Sequence, residues 1–237
     1  MKSYIWALPL RLFHWLLAIG FAAAYILGEA NEPKNLHFAF GAFVGSLIIF
    51  RLIYGLLGPK FANFRDFPIG LKKQIEFARA FFVKTKVYEG HNPLASVVML
   101  SIFIVGLLCS ISGYLLYAGE NNILSLNFGE DFLKEAHEIT ATIFLILVLF
   151  HLIGVALDFI FHPKNGTFLS IFTGYKNVET KKVKFNSTHK FFSVLWFVIP
   201  FFIFYLAYGL QVKDESSQNE IQQLEKTGQN GMSENDD

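Results

Sequence analysis

Of 237 residues only one, Cys109, is a cysteine. No intramolecular disulfide can form, and without a C-x-x-C-H motif no haem can be attached covalently by that route. Charge is scarce as well. Asp, Glu, Lys and Arg make up 16% of the chain, and the charges fall in blocks, so the net charge of +1 says little about partners. No internal repeat is visible. What is abundant is apolar sequence, with 53% hydrophobic residues and a mean hydropathy of +0.42. Several runs near twenty residues carry almost no charge, which excludes an ordinary soluble domain and predicts membrane-spanning helices. Phenylalanine, at 28 residues, reads as a lipid-facing bias.

Five spans can be marked, at about 8–27, 36–57, 93–117, 132–161 and 191–210. The first resembles a signal peptide with Ala22 and Ala24 near a cleavage site, but Trp6, Pro9 and Arg11 before it favour retention. The loop after span 2 holds Lys60, Arg65, Lys72, Lys73, Arg79, Lys84 and Lys86. The loop after span 4 holds Lys164, Lys176, Lys181, Lys182 and Lys184. The 1–2 loop has only Lys34 and the 3–4 junction only Lys134. The positive-inside rule therefore puts the N-terminus and both basic loops in the cytoplasm, and the C-terminus in the periplasm.

Within the 2–3 loop, Leu71, Ile75, Ala78 and Phe82 share one helical stripe, with Lys72, Lys73, Glu76 and Arg79 away from it. This segment is either a basic amphipathic helix on the inner membrane surface or a solvated connector. Beyond Gln211 the chain becomes polar, with seven acidic residues against two lysines, which predicts a disordered tail able to attract a basic partner.

Chemistry is concentrated in the histidines. His137 and His151 lie fourteen residues apart in one span, a spacing that returns to within roughly 40° of the same helix face about 21 Å further along. Imidazoles are costly in hydrocarbon, so a functional role is the default. Topology places His14 and His151 near the cytoplasmic face, and His37 and His137 near the periplasmic face. Each depth-matched pair can offer two axial nitrogens to one iron, which gives two haems in a helical bundle held by ligation and packing. Their irons should lie on the order of 20 Å apart along the helix.

The other histidines read differently. His162 and His189 are expected to be solvated or interfacial. His91, in EGHNPLAS, is expected to be structural, with Asn92 and Pro93 forming a turn into span 3. Arg11 and Arg51, close in depth to His14, are either haem-propionate partners or positive-inside anchors. Gly41 and Gly45 on span 2, with Gly106 and Gly113 on span 3, permit either close helix contact or a flat porphyrin against the backbone.

WALPLRLFHW, LHFAFG, FRLIYGLLGPKFANFRDF, GHNPLAS, AHEITATIFLILVLFH and LSIFTGYK together resemble the bacterial cytochrome b561 family, which includes the b-type cytochrome subunits of nickel-iron hydrogenases. The similarity runs from about Tyr4 to Lys176. It implies a four-helix bundle with two haems b, ligated at His14, His37, His137 and His151, exchanging electrons with quinone or a partner redox protein. On this reading the chain is an all-α integral membrane protein. It has a di-haem domain over 1–176, a cytoplasmic linker and fifth helix over 177–210, and an acidic tail over 211–237. It would sit in the bacterial inner membrane and pass electrons between the quinone pool and a cytochrome c or hydrogenase-like complex. Two rivals are an oxidoreductase acting on a small oxidant such as superoxide at the periplasmic haem, and a metal or proton transporter. The second would need intramembrane carboxylates, and the spans offer little beyond Asp158, Glu135 and Glu138.

Overall fold

The computed structural model describes residues 2–30, 34–82, 88–120, 123–124, 129–180 and 186–233. Lys84, Lys86, Lys181, Lys182 and Lys184 lie outside the described residues. Among the described residues there are seven α-helices: α1 Leu8–Glu29, α2 Lys34–Leu57, α3 Leu71–Ala80, α4 Pro93–Glu120, α5 Glu130–Phe161, α6 Thr167–Thr173 and α7 Ser187–Ser233. Five of them contain stretches long and apolar enough to cross a membrane: Leu8–Glu29, Asn35–Leu57, Pro93–Gly119, Asp131–Phe161 and Ser187–Leu210. These are the five spans expected from hydropathy, each extended by a few residues.

Local chemistry sets the ends. Pro9 lies in the first turn of α1, where its missing N–H costs nothing. The Asn92 side chain caps α4, its Oδ1 accepting from the Ala95 N–H at 2.8 Å, with Pro93 as the first helical residue. The expected turn is thus an N-cap. Gly174 ends α6 at φ 85°, and a Cβ there would sit 2.9 Å from the Trp6 carbonyl oxygen, so the position requires glycine. The Gly174 carbonyl in turn accepts from the Ile5 and Trp6 N–H groups. That closes a two-residue antiparallel ladder pairing β1 (Ser3–Tyr4) with β2 (Tyr175–Lys176), an addition to the all-helical expectation.

In the bundle, α1 packs along α2, α2 against α4, and α4 along α5, while α7 lies on the outer side of α2. Trp196 of α7, 1% exposed, stacks near Tyr54 at 4.9 Å and Phe13 at 5.1 Å. Phe43 meets Phe201 at 5.2 Å. Helix α5 is the span least covered by protein, with 6% of its apolar window buried against 50% for α2. Its large exposed side chains, among them Ile146, Leu149, Phe150 and Ile153, suit contact with lipid.

The backbone of α7 continues as helix beyond Gln211, to Ser233. Glu, Gln, Lys and Leu are good helix formers, and a helix already nucleated in the span propagates at little cost. The segment Leu71–Ala80 is a helix, with Leu71, Ile75 and the following Phe82 exposed.

Candidate functional site

At one end of the bundle His37 of α2 faces His137 of α5, with ring centroids 6.0 Å apart. At the other end, beside the basic loops, His14 of α1 faces His151 of α5 at 6.2 Å. The structure brings together the two pairs expected from depth. Two metal–imidazole bonds of about 2.0–2.1 Å and two ring radii of roughly 1.1 Å require about 6.3 Å between centroids, so each gap fits one six-coordinate iron. Helices α1 and α5 carry facing imidazoles although their backbones barely approach one another, and between the two depths Phe21 of α1 meets Phe144 of α5 at 4.4 Å. Among the described residues no cluster of three or more His, Cys, Asp or Glu could hold a bare metal ion. Two imidazoles per site suit a group that brings its own equatorial nitrogens.

The rings at the far end are fixed by the backbone. His37 Nδ1 lies 2.8 Å from the Ala24 carbonyl oxygen, and His137 Nδ1 lies 3.0 Å from that of Cys109. A carbonyl can only accept, so both Nδ1 atoms carry the proton and both Nε2 atoms keep a lone pair able to coordinate a metal. Glycines make room for these rings. A Cβ at Gly28 would lie 2.9 Å from His37 Cε1, and one at Gly113 would lie 2.9 Å from His137 Cε1. The remaining glycines divide between the two expected roles. Gly45 and Gly106 allow close helix contact, because a Cβ would meet Ser110 at 2.8 Å and Ile48 at 2.7 Å. Gly41, one turn from His37 on the same face, has open space where its Cβ would stand. At the basic end the buried Nδ1 of His14 has no hydrogen-bond partner.

The arginines differ. Arg11 donates through Nη1 to the Phe172 carbonyl at the end of α6, an interaction favoured by the helix dipole, and its buried Nε has no partner. Arg51 stands fourteen residues after His37, hence on nearly the same face at the depth of the second pair. It is 2% exposed, its guanidinium lies 4.8 Å from the Phe64 ring centroid and 5.5 Å from that of Phe103, and its Nη1 has no partner. A buried cation with a free donor is a site for an anion.

One basic-end residue, read from the sequence only as a loop lysine, is buried. Lys176, 5% exposed, donates from Nζ to the Tyr88 carbonyl at 2.7 Å and the Gly90 carbonyl at 3.2 Å. Burial pulls this ammonium down to about 8, with Asp158 working the other way. His91 lies between Trp6, at 4.6 Å, and Phe67, at 4.8 Å, which bears out its structural reading. Burial, then the charges of Arg51, Lys176 and His151, push its imidazole down to about 3. A cavity of about 240 Å³ opens beside it, lined by Lys60, Phe61, Asp66, Phe67 and Tyr88. Of the two expectations for His162, solvated or interfacial, the structure speaks against the solvated one. The residue is buried, edge-on to Phe81 at 4.9 Å, with Nδ1 3.4 Å from Asp158 Oδ1, because the chain folds back after α5. His189 sits at the start of α7, its N–H donating to Asn186 Oδ1 at 2.8 Å.

No curated protein and no solved structure shows a significant match to the chain. The sequence does match the prokaryotic cytochrome b561 family across residues 5–174, the stretch that contains all four facing histidines and both arginines. The chain belongs to the prokaryotic cytochrome b561 family, membrane-bound b-type cytochromes of electron transfer.

Proposed function

We propose that this protein holds two haems b, one at each end of the bundle, and carries electrons across the bacterial inner membrane between the quinone pool and a redox partner protein. The observation that carries the reading is the pair of imidazole gaps, 6.0 and 6.2 Å, at opposite ends of one helix. His37 and His137 ligate one iron, and His14 and His151 the other. Bound haem supplies one-electron chemistry between ferric and ferrous iron, tuned by its ligands and surroundings. The chain orients its ligands through the Ala24 and Cys109 carbonyls and keeps water out with the apolar faces of α2, α4 and α5. Arg51 offers its unpartnered Nη1 to a propionate of the haem at the basic end, and Arg11 its Nε. The lysine-rich loops orient the basic end to the cytoplasm, which puts His37 and His137 near the periplasm. The acidic residues after Gln211 then face the periplasm, where they favour a basic partner such as a cytochrome c.

Haem counting tests the ligand set. The purified protein should carry two haems per chain, with His37→Ala or His137→Ala losing one and His14→Ala or His151→Ala losing the other. One haem in the unaltered protein, or two in every variant, would overturn the assignment.

A further inference from the structure

From the asymmetry of the two ends we infer that the haem held by His14 and His151 has the higher potential, and that Lys176 is one of the residues that set it. The inference rests on the proposed ligand pairs and adds the direction in which an electron settles.

Three features point the same way. At the far end both ligands donate Nδ1–H to backbone carbonyls, at 2.8 and 3.0 Å. Such bonds make an imidazole a stronger donor to iron and favour the oxidised state. His14, at the basic end, lacks that support, since its buried Nδ1 has no partner. Second, the basic end contains two buried cations, Arg51 at 2% exposure and Lys176 at 5%. Both act electrostatically on His91, as does His151, so all four groups lie in one neighbourhood. A cation beside the haem favours the reduced form, which carries one more negative charge.

Third, compensation is incomplete. Asp158 is the carboxylate acting on Lys176, and it is shared with His162 at 3.4 Å. Among the described residues, the hydrogen-bond partners of the Lys176 ammonium are neutral carbonyls. Even if Arg51 is neutralised by a propionate, Lys176 keeps its charge at neutral pH. At the far end the charged group acting on His137, apart from His37, is the Glu138 carboxylate, of opposite sign. Among the described residues no buried cation stands there.

The test is an optical redox titration of the haem-loaded protein in detergent at pH 7. His37→Ala, which keeps the basic-end haem, should titrate at the higher of the two wild-type midpoints, and His14→Ala at the lower. Lys176→Met should reduce the ferrous-to-ferric ratio of the upper component about tenfold at fixed potential. That is 59 mV for one electron, with the lower component unmoved, and Lys176→Arg should restore it. Reversed midpoints in the two histidine variants overturn the ordering, whether or not the Lys176 variants assemble. An equal shift of both components in Lys176→Met, or no shift, overturns the role of Lys176. If the histidine variants leave haem content untouched, the ligand assignment fails first, an outcome separate from a reversed order.

Discussion

Gly113→Ala isolates the precision with which an axial ligand is held. The new methyl carbon would lie 2.9 Å from His137 Cε1 and 3.1 Å from Nδ1, where ordinary contact begins at 3.4 Å. The ring must therefore retreat by about 0.5 Å, which stretches the 3.0 Å bond from Nδ1 to the Cys109 carbonyl beyond useful length. Losing that bond costs about 1 kcal/mol. Replacing glycine by alanine within a helix returns about 1 kcal/mol, so overall stability should hardly change. Function should change more, because a site tolerates misplacement of only about 0.5 Å. The assay combines three readings on the purified variant: haem per chain, the optical redox titration, and the thermal midpoint. Expected are an unchanged melting temperature, with loss of one haem or a shifted lower midpoint while the other haem is untouched. Two haems with both midpoints at their original values would refute the packing argument.

Gly41→Ala adds a methyl group where, its own helix backbone and chain neighbours aside, no atom of the described residues lies within 4 Å. The haem-free protein should gain about 1 kcal/mol of helix stability while the haem at His37 and His137 is lost. Full haem content would show that the porphyrin does not use that space. His91 is neutral in the folded protein down to about 3 but takes up a proton near 6.5 when unfolded. Its contribution to stability is therefore complete above pH 6.5 and is lost as pH falls from 6.5 towards 3. His91→Gln should flatten the drop in thermal midpoint between pH 7 and pH 4, and parallel drops would rule this out. Removing haem should raise amide exchange in α5 well above that in α2, because α5 has the least protein packing. Equal protection of both helices would contradict that.

The spans were legible because a membrane helix is specified by composition over about twenty residues and needs no distant partner. The four histidines were legible for a related reason. Depth follows from order along alternating spans, and rotation follows from the helical repeat. Lys176 and the β1–β2 ladder were not legible, because their partners are backbone groups. Lys176 binds the carbonyls of residues 88 and 86 positions away, and a carbonyl leaves no mark in the sequence. His162 shows the same limit, since its position after the last turn of α5 reads as exposed until Phe81 is folded over it. After Gln211 the composition points two ways. Polar, charged composition argues against a packed core, yet the same residues are good helix formers when joined to an existing helix.

The fourteen-residue interval links these observations. On α5 it separates His137 from His151, and on α2 it separates His37 from Arg51. Helix α5 thus presents an imidazole at both depths, whereas α2 presents an imidazole at one and a guanidinium at the other. The second imidazole at that depth comes from α1 as His14, with Arg11 one turn before it on the same face. Were α2 to carry both partners of α5, the two ends would be chemically alike and α1 would have no ligand to give. Instead the end served by α1 collects Arg11, Arg51 and Lys176, while the other end is bounded by backbone carbonyls. Two similar imidazole gaps therefore stand in different electrostatic surroundings. Any difference in potential that results decides which of the two sites holds a single electron.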